Sequence, residues 1–228
     1  MTEGSFEGVG GLKIFTREWL PAGKPHAVVV ISHGINSHSG RYTWVAEQFV
    51  SKGLAVYALD HRGRGRSEGE RFFVEKVEDY ADDLATFIGM VRVREPGLPV
   101  FLLGHNAGGV VACLYALEHQ SEITGLICES FAHEVPAPDF ALADFSRITL
   151  PVLILHGTSD RATKPSGSRR FYEKAGSNDK MLKLYEGHYH DLLADVGKQQ
   201  VMVDIQNWID AHLGTNAPRA IREQPARA

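Results

Sequence analysis

Val100-Phe101-Leu102-Leu103-Gly104-His105-Asn106-Ala107-Gly108-Gly109 decides the fold. Four apolar residues read as a buried strand, and the small residues from Ala107 open a helix that runs to His119. Glycines on both flanks let the strand turn into the helix without a Cβ clash, so the central residue is carried to the apex of the turn. This is the strand–turn–helix setting of Gly-x-Ser-x-Gly, with Asn106 at the position of the serine.

Outward from this turn the pattern repeats. Leu12–Trp19, Ala27–Ser32, Leu54–Leu59, Thr124–Cys128, Val152–Leu155 and Met181–Tyr185 read as strands. Tyr42–Lys52, Val77–Arg94, Pro165–Ala175 and Val196–Leu213 read as helices; Glu78 and Asp79 stand in a first turn, where the helix dipole favours acids. Alternating strands and helices build a mostly parallel sheet of about eight strands with helices on both faces, an α/β fold. Right-handed crossovers place the strand C-terminal ends along one edge, and the loops there line the ligand crevice. Residues 1–213 are expected to form one core, and 214–228, polar and rich in Pro and Ala, a frayed tail.

Composition narrows the function. The 228 residues are 43% hydrophobic and 23% charged, with a net charge of −4, as in a soluble globular protein. No basic patch suggests nucleic acid. Arg62, Arg64 and Arg66 alternate with glycines and are followed by Glu68 and Glu70, which reads as turn chemistry with solvated charges. Cys113 and Cys128 lie in apolar runs and read as buried, reduced core residues. The start, Met-Thr-Glu-Gly-Ser-Phe-Glu, carries no signal-peptide pattern, and no apolar run would span a bilayer, so a cytoplasmic location is expected. His188 and His190 are metal-type side chains with His133 as the only tempting third; no metal site is expected.

Four segments follow strands at the functional edge: His33-Gly34-Ile35, Asp60–Ser67, the Asn106 turn, and the pair Asp160 and His190. The order Asn106, Asp160, His190 matches the nucleophile–acid–histidine order of triads in this type of turn. His190 is the candidate base, and Asp160 the acid that fixes its tautomer. The amides of Ile35 and Ala107 are candidates for an oxyanion hole. Gly34, His105, His133 and His188 are set to line the substrate cleft, and His33 shapes the Ile35 loop.

Five motifs together resemble the monoacylglycerol lipase and lysophospholipase-like branch of the α/β-hydrolases. They are Ser32–Tyr42 (SHGINSHSGRY), Asp60–Gly69 (DHRGRGRSEG), Leu103–Gly109 (LGHNAGG), Pro151–Thr163 (PVLILHGTSDRAT) and Tyr185–Leu193 (YEGHYHDLL). The resemblance covers roughly residues 5–213. It implies hydrolysis of small carboxylic esters such as acyl-glycerols, through an acyl-enzyme, with no cofactor; it leaves open whether the chain is a monomer or a homodimer. Two departures stand out. Asn106 replaces the serine, and an amide is a poor nucleophile that histidine cannot deprotonate near neutral pH. The helical cap of the branch is reduced to a short link near 130–149, with room for one short helix near Asp139–Phe145. Three activities stay open: an esterase silenced at Asn106, a hydrolase resembling the haloalkane dehalogenases if Asn106 deamidates, and a non-catalytic ligand-binding homologue.

Overall fold

The computed structural model describes residues 1–132 and 144–214. Its strands are β1 (Thr2–Glu7), β2 (Lys13–Trp19), β3 (Ala27–Ser32), β4 (Leu54–Leu59), β5 (Val100–His105), β6 (Gly125–Glu129), β7 (Val152–Gly157) and β8 (Lys180–Tyr185). Among the described residues the helices are α1 (Thr43–Ser51), α2 (Glu78–Arg94), α3 (Ala107–His119), α4 (Pro165–Lys174) and α5 (Lys198–His212), with short 3-10 turns between. The strands form one sheet in the order β1-β2-β4-β3-β5-β6-β7-β8. β1 and β2 run antiparallel at one edge, and every pairing from β4 to β8 is parallel. This is the α/β-hydrolase fold.

Side-chain alternation along each strand splits the core into two layers. Val28, Val30, Leu102, Leu126 and Ile154 pack on one face, under α2, α3 and α4, with Leu84, Val111 and Phe171. Val29, Ile31, Phe101, Leu103 and Leu153 pack on the other, under α1 and α5, with Phe49, Ile205 and Trp208. Both layers are buried, so the central strands are apolar along most of their length, with polar residues at their C-terminal ends, and β3 and β4 have no exposed residue.

β3 lies between β4 and β5, so the strand order changes direction at this point. The loops leaving β3 and β5 diverge there and open a crevice above the sheet, where α/β folds bind their ligands.

Three features depart from the sequence expectation. β1 is an additional strand; it is polar, with only Phe6 buried, and pairs along β2 through six residues. β5 and β7 run on through Gly104-His105 and His156-Gly157. Arg62 and Arg64 are buried, not solvated. Arg62 makes a two-pronged ion pair with Asp83, Nε to Oδ2 and Nη2 to Oδ1 at 2.8 Å each, and reaches Asp79 at 3.0 Å. These bonds fasten the loop after β4 to α2. Of the helix expected near Asp139–Phe145, the described part is a 3-10 turn over Phe145–Arg147; residues 133–143, His133 included, and the tail after Gly214 lie outside the described residues.

Candidate active site

Asn106 connects β5 to α3 with φ 52° and ψ −119°, a backbone state that non-glycine residues rarely adopt and that costs on the order of 1–3 kcal/mol. The surroundings enforce it. A Cβ on Gly104 would lie 2.6 Å from the Gly108 carbonyl oxygen, and one on Gly108 would lie 2.1 Å from that of Ser32. The first turn of α3 therefore sits directly on β3 and β5. The Asn106 amide donates to the Glu129 carbonyl at 2.9 Å, tying the apex to the end of β6.

The Asn106 side chain bridges two groups. Its Oδ1 accepts the Ala107 backbone N–H at 2.7 Å, and its Nδ2 lies 3.1 Å from His190 Nε2. An amide nitrogen only donates, so Nε2 accepts and the ring proton sits on Nδ1. Nδ1 is 2.7 Å from Asp160 Oδ2, to which it donates. The imidazole thus holds the tautomer of a general base.

Asp160 follows β7 and is buried. Its Oδ1 accepts the amides of Ala162 and Thr163 at 2.8 and 3.0 Å; its Oδ2 accepts the Thr163 hydroxyl at 2.8 Å and lies 3.1 Å from His156 Nε2. Burial alone would raise its pKa, but the bonds from His156, His190 and Thr163 outweigh it and hold the carboxyl far below the usual range. For His190 burial favours the neutral ring, yet the Asp160 contact prevails and the pKa is raised.

The loop after β3 presents Ile35. The peptide joining Gly34 to Ile35 has its carbonyl oxygen held by His33 Nδ1 at 2.7 Å and by the Ser37 amide at 3.0 Å. In a trans peptide the N–H points opposite to the carbonyl, so these bonds aim the Ile35 N–H away from them. His33 is fit for this task because its Nε2 accepts the His61 amide at 2.9 Å, which leaves the proton on Nδ1. Burial lowers the His33 pKa to about 4, so the ring stays neutral. Ile35 and Ala107 line one cavity of about 320 Å³, walled by Phe72, Phe73, Val77 and Val111.

Gly34 and His105 pack together behind Asn106; a Cβ on Gly34 would lie 2.7 Å from His105 Nδ1. His105 is buried, its ring centred 4.9 Å from that of His190, and burial with the nearby imidazole lowers its pKa to about 4. His188 lies apart: its ring rests on Tyr185 and Gly197, and its carbonyl accepts the Ser159 amide at 3.0 Å. Asn106, Ala107, Asp160, His190, Gly34 and His105 are therefore gathered at one place. Sequence reading passed over His156, Thr163, Ser130 and Glu129. Ser130 donates to the His190 carbonyl at 2.6 Å, and the Ser130 carbonyl lies 3.2 Å from Thr163 Oγ1, whose proton goes to Asp160. Their signal is positional: Glu129 and His156 lie at the C-terminal ends of β6 and β7, and Ser130 and Thr163 in the loops that follow, where the crevice opens.

The family described as "Serine aminopeptidase, S33" matches residues 23–140 and 135–197. The chain belongs to this family. Within it, the chain is 29% identical over 274 residues to a monoacylglycerol lipase of Mycolicibacterium smegmatis, covering 93% of this chain and 98% of that protein. It is 29% identical over 276 residues to the monoglyceride lipase of Homo sapiens, covering 91% of each. A crystal structure of the Paleococcus ferrophilus monoacylglycerol lipase superposes with a TM-score of 0.74 at 25% identity, covering 87% of this chain and 99% of that one. This serine aminopeptidase-family chain thus has a scaffold of the monoacylglycerol lipase and esterase type. No helix among its described residues is long and apolar enough to cross a membrane.

Proposed function

We propose that the chain is a carboxylic-ester hydrolase scaffold whose own turnover is blocked at Asn106. The observation that carries this is the Asn106 side chain, hydrogen-bonded to both His190 Nε2 and the Ala107 amide. In the parent reaction a serine hydroxyl at position 106 gives its proton to His190 and attacks the ester carbonyl. The Ile35 and Ala107 amides stabilise the oxyanion, and His190, oriented by Asp160, returns the proton to the leaving alcohol. Water attacks the acyl-enzyme by the same route in reverse. Asn106 has no proton that His190 can remove near neutral pH, and its oxygen occupies one of the two oxyanion donors.

Small esters are the substrate class. The lipase names of the relatives support this, as does an apolar cavity beside Ala107 whose volume suits one arm of a small ester. A reduced cap within 130–149 also belongs to this reading. The family match falls in two stretches that meet at 135–140. Moreover, 93% of 228 residues is about 212, so about 62 of the 274 positions aligned with the mycobacterial lipase have no counterpart here.

One contact favours a second reading. The Ala107 N–H polarises the Asn106 amide carbonyl, while the amide nitrogen faces His190. His190 Nε2 would take a proton from a water attacking Cγ and pass it to the amide nitrogen, so that ammonia leaves and residue 106 becomes aspartate, the nucleophile type of a dehalogenase-like hydrolase. Labelling with a fluorophosphonate probe, read by intact mass, separates the readings. A blocked esterase takes no label until Asn106→Ser is made; a deamidated chain carries the mass gain of an amide-to-acid conversion before any probe is added. A binding homologue leaves the folded Asn106→Ser variant unlabelled as well.

A further inference from the structure

His105 and Asp191 flank the reactive positions, each one residue from Asn106 or His190, and neither enters the acid–base chemistry above. His105 is 6% exposed, and its Nε2 has no hydrogen-bond partner among the described residues. It faces Asp191 Oδ1 at 3.3 Å without the alignment of a hydrogen bond. That separation matches the spacing of two ligands on a tetrahedral zinc ion, whose bonds of about 2.0–2.1 Å place neighbouring donors roughly 3.3–3.4 Å apart. One ring nitrogen of His190 completes a set in which all three ligand atoms lie within 4.8 Å of one another.

We propose that His105 Nε2, His190 Nε2 and Asp191 form a binding site for a zinc-type divalent cation. Nε2 is the available nitrogen of His190, because Nδ1 is held by Asp160 at 2.7 Å. A carboxylate behind a ligating imidazole is the arrangement that orients histidine on zinc. Two imidazoles and one carboxylate suit zinc rather than magnesium or calcium, which prefer oxygen ligands throughout. Local charge agrees: among the described residues Asp160 and Asp191 make ion pairs with histidines only, so no lysine or arginine already neutralises them. Asp191 is more than half exposed, giving the ion a route from solvent, and three protein ligands leave a fourth position for water. The Asn106 amide gives up its contact with Nε2 when the ion binds.

Binding is independent of the ester-hydrolase reading. Its consequence rests on that reading: a nitrogen that holds zinc cannot accept a proton, so zinc would inhibit an active Asn106→Ser variant and a chelator would restore it.

The test is calorimetric titration of the chelator-treated, full-length protein with zinc chloride, with cobalt(II) absorption as a measure of coordination. The expected result is one equivalent bound with a four-coordinate cobalt spectrum. Asp191→Ala and His105→Ala should each weaken binding at least tenfold, Asp160→Asn should weaken it ~10–100-fold, and the surface variant His26→Ala should leave it intact. Asp191 is exposed, so its variant tests the site even if His105→Ala fails to fold. Absence of stoichiometric binding, or binding undiminished in Asp191→Ala, overturns the proposal. If zinc binds as described while Asn106→Ser hydrolyses no ester, the site stands and the esterase reading falls.

Discussion

The side-chain oxygen of Asn106 accepts the backbone N–H of Ala107 at 2.7 Å, so the residue at the apex of the turn satisfies a donor that an ester oxyanion would otherwise use. On the ester-hydrolase reading proposed above, the site is closed against its chemistry twice, once by lacking a nucleophile and once by filling half of the proposed oxyanion hole. Removing the side chain should therefore open the site to ligands even without restoring turnover. Asn106→Gly frees the amide and suits a φ of 52°. A neutral hydrogen bond regained by the ligand is worth about 0.5–1.5 kcal/mol, so a short-chain ester should bind several-fold to about tenfold tighter in calorimetry. Equal affinity for both proteins would show that the Asn106 oxygen is no obstacle.

Asp160 sets the tautomer of His190 through the 2.7 Å bond to Nδ1. In an active Asn106→Ser background, Asp160→Asn should lower kcat by about 10⁴ with little change in KM. A comparable fall in both parameters' ratio through KM alone would assign Asp160 to substrate binding instead.

The ion pair between Arg62 and Asp83 is sealed from water, with the Asp83 side chain fully buried. Breaking such a pair from one side leaves the buried Arg62 guanidinium with Asp79 as its remaining ion partner, and Asp83→Ala should lose about 3 kcal/mol in urea denaturation. Replacing both partners by leucine should recover much of that loss. Single and double variants of equal stability would mean that the charge is hydrated after all.

Glu129 supplies a pH-dependent case. Burial pushes its carboxyl up to about 8; the Leu193 amide lowers it and Asp191 raises it further. A folded pKa above the unfolded value means that the native state holds the proton more tightly. Its contribution is complete below the unfolded pKa of about 4.3 and is lost as pH rises towards 8. Glu129→Gln, which keeps an acceptor for Leu193, should match the parent in stability at pH 4 and exceed it at pH 9. A constant difference across that range would place the carboxylate in contact with solvent.

The parts of the fold that are legible in the sequence are the parts written by burial. Ala27–Ser32 and Leu54–Leu59 are read to the residue, because a strand covered on both faces is an unbroken apolar run between polar turns. β1 escapes such a reading: at the sheet edge only Phe6 needs to be buried, and Thr, Glu, Gly and Ser do not announce a strand. Arg62 and Arg64 mislead for the opposite reason, since their partners in Asp83 and the Ile35 carbonyl are distant in sequence. The meeting of Asn106, Asp160 and His190 is legible because each follows one of the parallel strands of a single sheet. The closeness of His105 to Asp191 is not, as it depends on how the loop after β8 folds back over the turn after β5.

Hydrolysis of a short-chain aryl ester by the parent protein and by Asn106→Ser, measured side by side with the intact mass of both, tests the central claim most directly. Loss of a triad nucleophile costs on the order of 10⁶ in kcat, so the serine variant should turn over the ester while the parent stays near the background rate, with Asn106 unmodified. Equal rates for the two proteins, or a folded serine variant with no activity, would contradict the account.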